Sequence, residues 1–244
     1  MALVPSGLDL APAPLLSGPM STDAKESAAR AALAYLPQEG VIGLGTGSTA
    51  RFFISALAEL VARGRKFRGV PTSEASRAQA RELGIPLLPD AGPWDIDVCV
   101  DGADEVSDRL DLIKGGGGCQ TREKIVNQAA RKNVIVVDES KLSRRLGERW
   151  PIPLEILAFA HGSTAAALSR FGEVRLRERE GEPWRTDSGN YIYDLHAGPL
   201  DDPGALDREL RSVPGVVETG LFVGRADIVI VAGGSGTRLL TRRA

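Results

Sequence analysis

The chain has 244 residues, 43% of them hydrophobic, which suits one large domain or a domain with a smaller companion and supplies a sizeable core. Its 30 basic and 32 acidic residues leave a formal net charge of −2, which excludes a general electrostatic footprint for nucleic acid or a membrane surface and leaves room only for a small local anion site. Two cysteines, Cys99 and Cys119, with no C-x-x-C spacing, argue against a disulfide framework and a zinc site and fit a reducing, cytoplasmic setting.

Residues 1–21, rich in Ala, Pro, Leu, Ser and Gly, lack the basic and long apolar regions of a signal peptide and are expected to form a disordered tail. No apolar run approaches the ~20 residues that a membrane span needs. Order is expected to begin near Thr22 and Asp23, where a capping residue precedes an Ala-rich helix over 24–36 that Pro37 ends. An apolar strand from Val41 then runs into the turn Gly45, Thr46, Gly47, Ser48 and Thr49, followed by an amphipathic helix that stops near Gly64. That turn places backbone N–H groups and two hydroxyls at a helix N-terminus, where unpaired donors and the helix dipole favour an anion such as phosphate. It is not a Walker loop, since no Gly-Lys-Ser/Thr follows, and on its own it fits a tight turn of a parallel sheet equally well.

Further units follow: a strand at 69–72, a helix at 73–83 closed by Gly84, strands at 85–88 and 97–101, a helix at 121–130 and a buried strand at 133–138. Strands alternating with helices predict an α/β fold with a Rossmann-like parallel sheet. The pattern changes at Pro151. A strand (152–157), a helix (163–171), strands (173–180 and 190–196), a helix (203–213, capped by Asp202) and a strand (215–219) give the order βαββαβ of a ferredoxin-like α+β domain. The apolar run 226–233 is expected to return to the first sheet, so residues 151–224 form an insert in a catalytic domain made of 22–150 and 225–244. The charge-rich stretch 175–185 reads as a solvated hairpin and its loop.

The stretch 101–124, DGADEVSDRLDLIKGGGGCQTREK, carries the chemistry. Asp101 ends a predicted strand, and the carboxyl ends of strands are where open α/β sheets bind ligands. A turn through Gly102 and Ala103 can aim Asp101 and Asp104 into one crevice, although either could instead cap the turn. Lys114 precedes four consecutive glycines, where an ammonium and closely approachable amides can stabilise an oxyanion. Glu123 opens the next helix; a helix N-terminus lowers its pKa and burial raises it, and sequence does not decide between them. Lys141, past a strand end, and Lys25, on the first helix, are further cations. Cys119 has no neighbouring histidine to activate it, Cys99 reads as core, and no cluster suggests a metal.

These motifs, in this order, resemble ribose-5-phosphate isomerases of the A type. The match runs from about Asp23 onward: GLGTGSTA at Gly43, DGADE, KGGGG-x-x-TREK, the Asp-Glu-Ser-Lys loop, Pro-Leu-Glu at Pro153, Thr-Asp-x-Gly-Asn at Thr186 and PGVVETGLF at Pro214. The resemblance implies that Lys25, Thr46, Gly47, Ser48 and Thr49 hold the phosphate or its neighbouring hydroxyls. It implies that Asp101, Gly102, Ala103, Asp104, Lys114, Gly115, Gly116, Gly117 and Lys141 surround the sugar. Glu123 would then be the general base that moves a proton between C2 and C1 through an enediolate, with Lys114 and the glycine amides on the developing oxygen and Asp101 opening the ring. It further implies a phosphosugar substrate, no metal or organic cofactor, no nucleic-acid or membrane partner, a cytoplasmic location and a homo-oligomer, dimer or tetramer.

Two other readings compete. A phosphosugar sensor would carry a DNA-binding helix-turn-helix, for which the segment before Asp23 is too short, and need not retain Glu123 and Lys114. A nicotinamide-dependent oxidoreductase would require an acidic residue ending the second strand, which instead reads Gly69-Val-Pro-Thr72.

Overall fold

The computed structural model describes residues 22–234 and 236–242; the tail expected over 1–21 lies outside the described residues. In chain order, α1 (Thr22–Ala31) continues through a 3-10 turn into β1 (Gly40–Leu44), α2 (Ser48–Ala62), β2 (Phe67–Pro71), α3 (Glu74–Glu82), β3 (Val98–Asp101), β4 (Glu105–Val106), β5 (Leu112–Ile113), α4 (Gln120–Ala129) and β6 (Asn133–Asp138). There follow β7 (Ile152–Ile156), α5 (His161–Leu168), β8 (Glu173–Leu176), β9 (Glu178–Arg179), β10 (Glu182–Pro183), β11 (Tyr191–His196), α6 (Pro203–Arg211), β12 (Val216–Thr219), β13 (Leu221–Phe222), β14 (Ile228–Gly233) and β15 (Gly236–Thr241).

The main sheet has the order β15-β14-β6-β3-β1-β2, parallel except for the antiparallel edge strand β15. Its central strands β1, β3, β6 and β14 are apolar on both faces, and the two-residue period sorts them. Ile42, Leu44, Val98, Val100, Val134 and Val136 share a core with Phe53, Ile54 and Leu57 of α2 and Ala28 and Ala29 of α1. The alternate residues face the other way, Val41 and Cys99 against Val126 of α4, and Ile135, Val137, Val229 and Val231 against Val106, Leu112 and Phe222. Strand order reverses between β1 and β3, since β2 lies outside β1 on one side and the later strands add on the other. A crevice opens at the carboxyl ends of strands at such a reversal.

The second sheet has the order β12-β7-β11-β8, antiparallel throughout, which is the split βαββαβ arrangement. Ile152, Leu154, Ile156, Tyr193 and Leu195 pack there against Leu168 of α5 and Leu210 of α6. β14 then pairs in parallel with β6, so the chain does return to the main sheet. A third sheet, β13-β5-β4, joins the two bodies: Ile113 belongs to the core of the second sheet while Leu112 belongs to that of the first.

Several elements differ from expectation. Residues 85–88 form no strand, only a bridge between Leu87 and Gly69, because Pro86 lacks an N–H and contributes its carbonyl alone, to the amide of Gly69 at 2.8 Å. The strand expected over 173–180 stops at Leu176, and a separate two-residue hairpin turns at Glu180 and Gly181, both at positive φ. The edge strand β15 and the two-residue strands of the third sheet were not expected; the latter are too short to show a period.

Candidate active site

A cavity of about 320 Å³ lies at the carboxyl ends of β1, β3 and β6. Its wall brings together Lys25, Thr46, Gly47, Ser48, Thr49, Gly102, Ala103, Asp104, Lys114, Gly115, Gly116, Gly117, Glu123 and Lys141. Of the site residues that the resemblance implies, Asp101 alone is missing from the wall, and it stands behind it, 3.0 Å from Lys114 Nζ.

On one side the chain leaves β1 through Gly45 and enters α2 behind Gly47, whose φ of 109° suits glycine and which gives the helix no side-chain cap. The first amides of α2 therefore remain available to an anion. Lys25 Nζ donates to Ser48 Oγ at 3.1 Å, bringing an ammonium to that helix end. The Thr46 hydroxyl does not share in this. It lies 2.7 Å from the hydroxyl of Thr72 and 2.8 Å from that of Ser73, in a hydroxyl cluster beside α3.

On the opposite side, a buried triad joins Asp101, Lys114 and Glu123. Lys114 Nζ lies 3.0 Å from Asp101 Oδ2 and 3.1 Å from Glu123 Oε2, and it donates to the carbonyl of Gly102 at 2.6 Å. Asp101 Oδ1 accepts from the amides of Thr46 (3.0 Å) and Gly102 (2.7 Å), tying the phosphate-type turn to the triad. Gly45 must be glycine here, because a Cβ would collide with the Asp101 carboxylate. Asp104 Oδ2 accepts from the amide of Gly116 at 2.7 Å. That commits one of the three glycine amides expected to face substrate; among the described residues, Gly115 and Gly117 keep theirs unbonded.

Two carboxylates around one ammonium leave an excess of negative charge in a dry site. Burial pushes Glu123 up to about 8, the charge of Asp101 adds to the rise, and Lys114 opposes it without cancelling it. The conflict left open at the helix N-terminus is thus resolved in favour of burial. For Lys114, burial alone would lower the pKa, but Asp101 and Glu123 together raise it well above the usual lysine range. Cys119 is pushed up to about 12 by burial and then by Glu123, which leaves a neutral thiol.

A family model described as ribose 5-phosphate isomerase A (phosphoriboisomerase A) matches residues 68–236. A ribose-5-phosphate isomerase A from Gloeobacter violaceus is 46% identical over 222 residues, spanning 90% of this chain and 96% of the relative. The chain belongs to the ribose 5-phosphate isomerase A family. Among solved structures, the ribose 5-phosphate isomerase A of Methanocaldococcus jannaschii superposes with a TM-score of 0.84 at 41% identity, covering 90% of this chain and 98% of that one. A D-ribose-5-phosphate isomerase in complex with phospho-erythronic acid superposes at 0.85, also with 41% identity and the same coverage.

Within this family member, sequence reasoning passed over several residues at the site. Val136, Val137, Asp138 and Ser140 also line the cavity, Asp138 accepting from the amide of Ser140 at 2.9 Å. The Asp-Glu-Ser-Lys loop was noticed for Lys141 alone. Glu155 on β7 is buried and accepts from the hydroxyls of Thr121 and Thr186 and from the side-chain amide of Asn190, anchoring the start of α4 two residues before Glu123. Arg177, inside the stretch expected to be solvated, has a side chain only 12% exposed and bonds to the glycine loop.

Proposed function

We propose that this chain interconverts D-ribose 5-phosphate and D-ribulose 5-phosphate, with Glu123 as the base that carries the proton between C2 and C1. One observation carries the reading: a cavity with a cationic helix N-terminus at one side holds, on the other, a buried carboxyl of raised pKa against a lysine and free glycine amides. The phosphate binds the amides of α2 with Ser48, Thr49, Lys25 and Lys141, and this remote anchor aligns the reacting carbons. Asp104 and Asp101 serve ring opening, Asp104 presenting an oxygen at the wall and Asp101 acting through Lys114. As the C–H proton leaves, charge develops on the substrate oxygen, and Lys114 with the amides of Gly115 and Gly117 stabilises it. A carboxyl near 8 is well matched to a step in which the same group must first take and then return a proton near neutral pH.

The same reading treats residues 22–150 with 225–244 as the catalytic domain and 151–224 as its insert. It places the protein in the cytoplasm as a homo-oligomer, supported by the exposed Phe159, Leu157 and Val217 on the second sheet's side of the molecule, apolar surface that a second copy would cover. The experiment is incubation with ribose 5-phosphate in the presence of EDTA. Ribulose 5-phosphate is the expected product. No turnover, with binding retained, would favour a phosphosugar sensor, and turnover abolished by EDTA alone would contradict a metal-free reaction.

A further inference from the structure

Four glycines in a row have almost no steric preference of their own, so something else must fix the peptide planes of the loop after Lys114. That fixing comes from the second sheet. Arg177 leaves the end of β8 and donates from Nη1 to the carbonyls of Gly115 (2.7 Å) and Gly116 (3.1 Å). Its Nε donates to Asp194 Oδ2 on β11 at 2.8 Å, and Nη2 bonds to the other carboxylate oxygen. Its backbone is held as well, its amide donating to Ile192 and its carbonyl accepting from Trp184. The guanidinium also lies 5.6 Å from the Trp184 ring, whose indole nitrogen sits close against Gly118. A planar fork of donors pinned at every edge is a rigid support in a way that a lysine is not.

The consequence follows from peptide geometry. In a trans peptide the carbonyl and the next amide point in opposite directions. Holding the Gly115 carbonyl from the second sheet turns the Gly116 amide the other way, where it meets Asp104 at 2.7 Å. Holding the Gly116 carbonyl in the same manner turns the Gly117 amide away from Arg177, on a residue that lines the cavity. The positive charge on both carbonyls also polarises the peptide groups and strengthens their amides as donors.

We propose that Arg177 is a positioning residue for the isomerisation: by gripping the Gly115 and Gly116 carbonyls from the second sheet, it aims the Gly117 amide at the developing enediolate oxygen and the Gly116 amide at Asp104. The proposal rests on the isomerase reading above. It assigns the second sheet a part in the chemistry, since the Arg177–Asp194 pair belongs wholly to that sheet and its region.

The test compares Arg177→Lys, the double change Arg177→Gln with Asp194→Asn, and Glu123→Gln as a control. The double change leaves no lone buried charge, and Arg177→Lys keeps the pairing charge if the double variant does not fold. Steady-state kinetics with ribose 5-phosphate are read beside the affinities for inorganic phosphate and for phospho-erythronate, whose planar carboxylate has two oxygens as an enediolate does. In both Arg177 variants kcat is expected to fall about 10–100-fold, somewhat less than the loss of an oxyanion donor outright, with KM within about threefold. Phospho-erythronate affinity falls in step with kcat and phosphate affinity does not move. A folded Arg177→Lys protein with wild-type kcat and wild-type phospho-erythronate affinity overturns the proposal, as does an equal loss of affinity for phosphate, which would mean general distortion. If Glu123→Gln is inactive while the Arg177 variants match wild type, only this proposal fails; if Glu123→Gln is also fully active, the assignment of Glu123 as base fails with it, and if the wild type itself gives no ribulose 5-phosphate, the isomerase reading fails.

Discussion

Glu123 and Lys114 are driven toward opposite charge states in the same dry pocket, the carboxyl kept neutral by burial and then by Asp101, the ammonium kept charged by the two carboxylates beside it. The lysine gains from Asp101 and Glu123, whereas Glu123 has one cation to help it and the like charges of Asp101 and Asp104 against it. A carboxyl at about 8 must lose its proton before it can act as a base, so kcat/KM is expected to rise about tenfold per pH unit on the acid side and to level off above pH 8. Replacing Asp101 with Asn removes a cause of the rise, so the acid limb of the kcat/KM profile should move to lower pH even as the maximum falls. A limb near the ordinary carboxylate range in the wild type would contradict the raised pKa of Glu123. Gly45 is a second residue-scale test. Gly45→Ala drives a methyl into the Asp101 carboxylate, and a cost of about 1–3 kcal/mol in urea unfolding is expected, together with a loss of activity.

At the scale of elements, α2 and the loop after Lys114 do separate work. In the proposed reading the N-terminus of α2, with Lys25 and Thr49, holds the phosphate, a group that does not change during the reaction. Lys25→Ala and Thr49→Ala are therefore expected to raise KM about 5–10-fold with kcat nearly constant, because uniform binding is what is lost. Unchanged KM in both would place the phosphate elsewhere. How much of this could be read in the sequence depends on whether partners lie close together along the chain. Asp101, Asp104, Lys114 and Glu123 fall within one stretch, and the turn Gly45–Thr49 declares itself by composition, so their chemistry could be argued before any coordinates. Arg177 reaches Gly115 across 62 positions from a run of charges that resembles a solvated face, and Thr121 meets Glu155 across 34. Nothing local marks either contact. The commitment of the Gly116 amide to Asp104 is likewise a property of peptide orientation, which glycine composition does not encode.

In the whole molecule, the second sheet and its region hold α4 and the glycine loop in place through buried polar contacts. Glu155 receives three donors, and Lys124 on α4 donates to the carbonyl of Thr219 at 2.8 Å and pairs with Glu218 at 2.9 Å. Truncating Glu155 to Ala leaves those donors buried without an acceptor, and a loss of about 2–3 kcal/mol in urea unfolding is expected, with Glu155→Gln less harmful. Wild-type stability in Glu155→Ala would mean that water replaces the carboxylate without cost. That one carboxyl moves the proton is tested by the rate at which Glu123→Gln converts ribose 5-phosphate to ribulose 5-phosphate. The amide keeps the shape and the contact with Lys114 but cannot accept the proton, so turnover is expected to fall at least about 10²-fold while phosphate is still bound. Turnover close to that of the wild type would contradict the account.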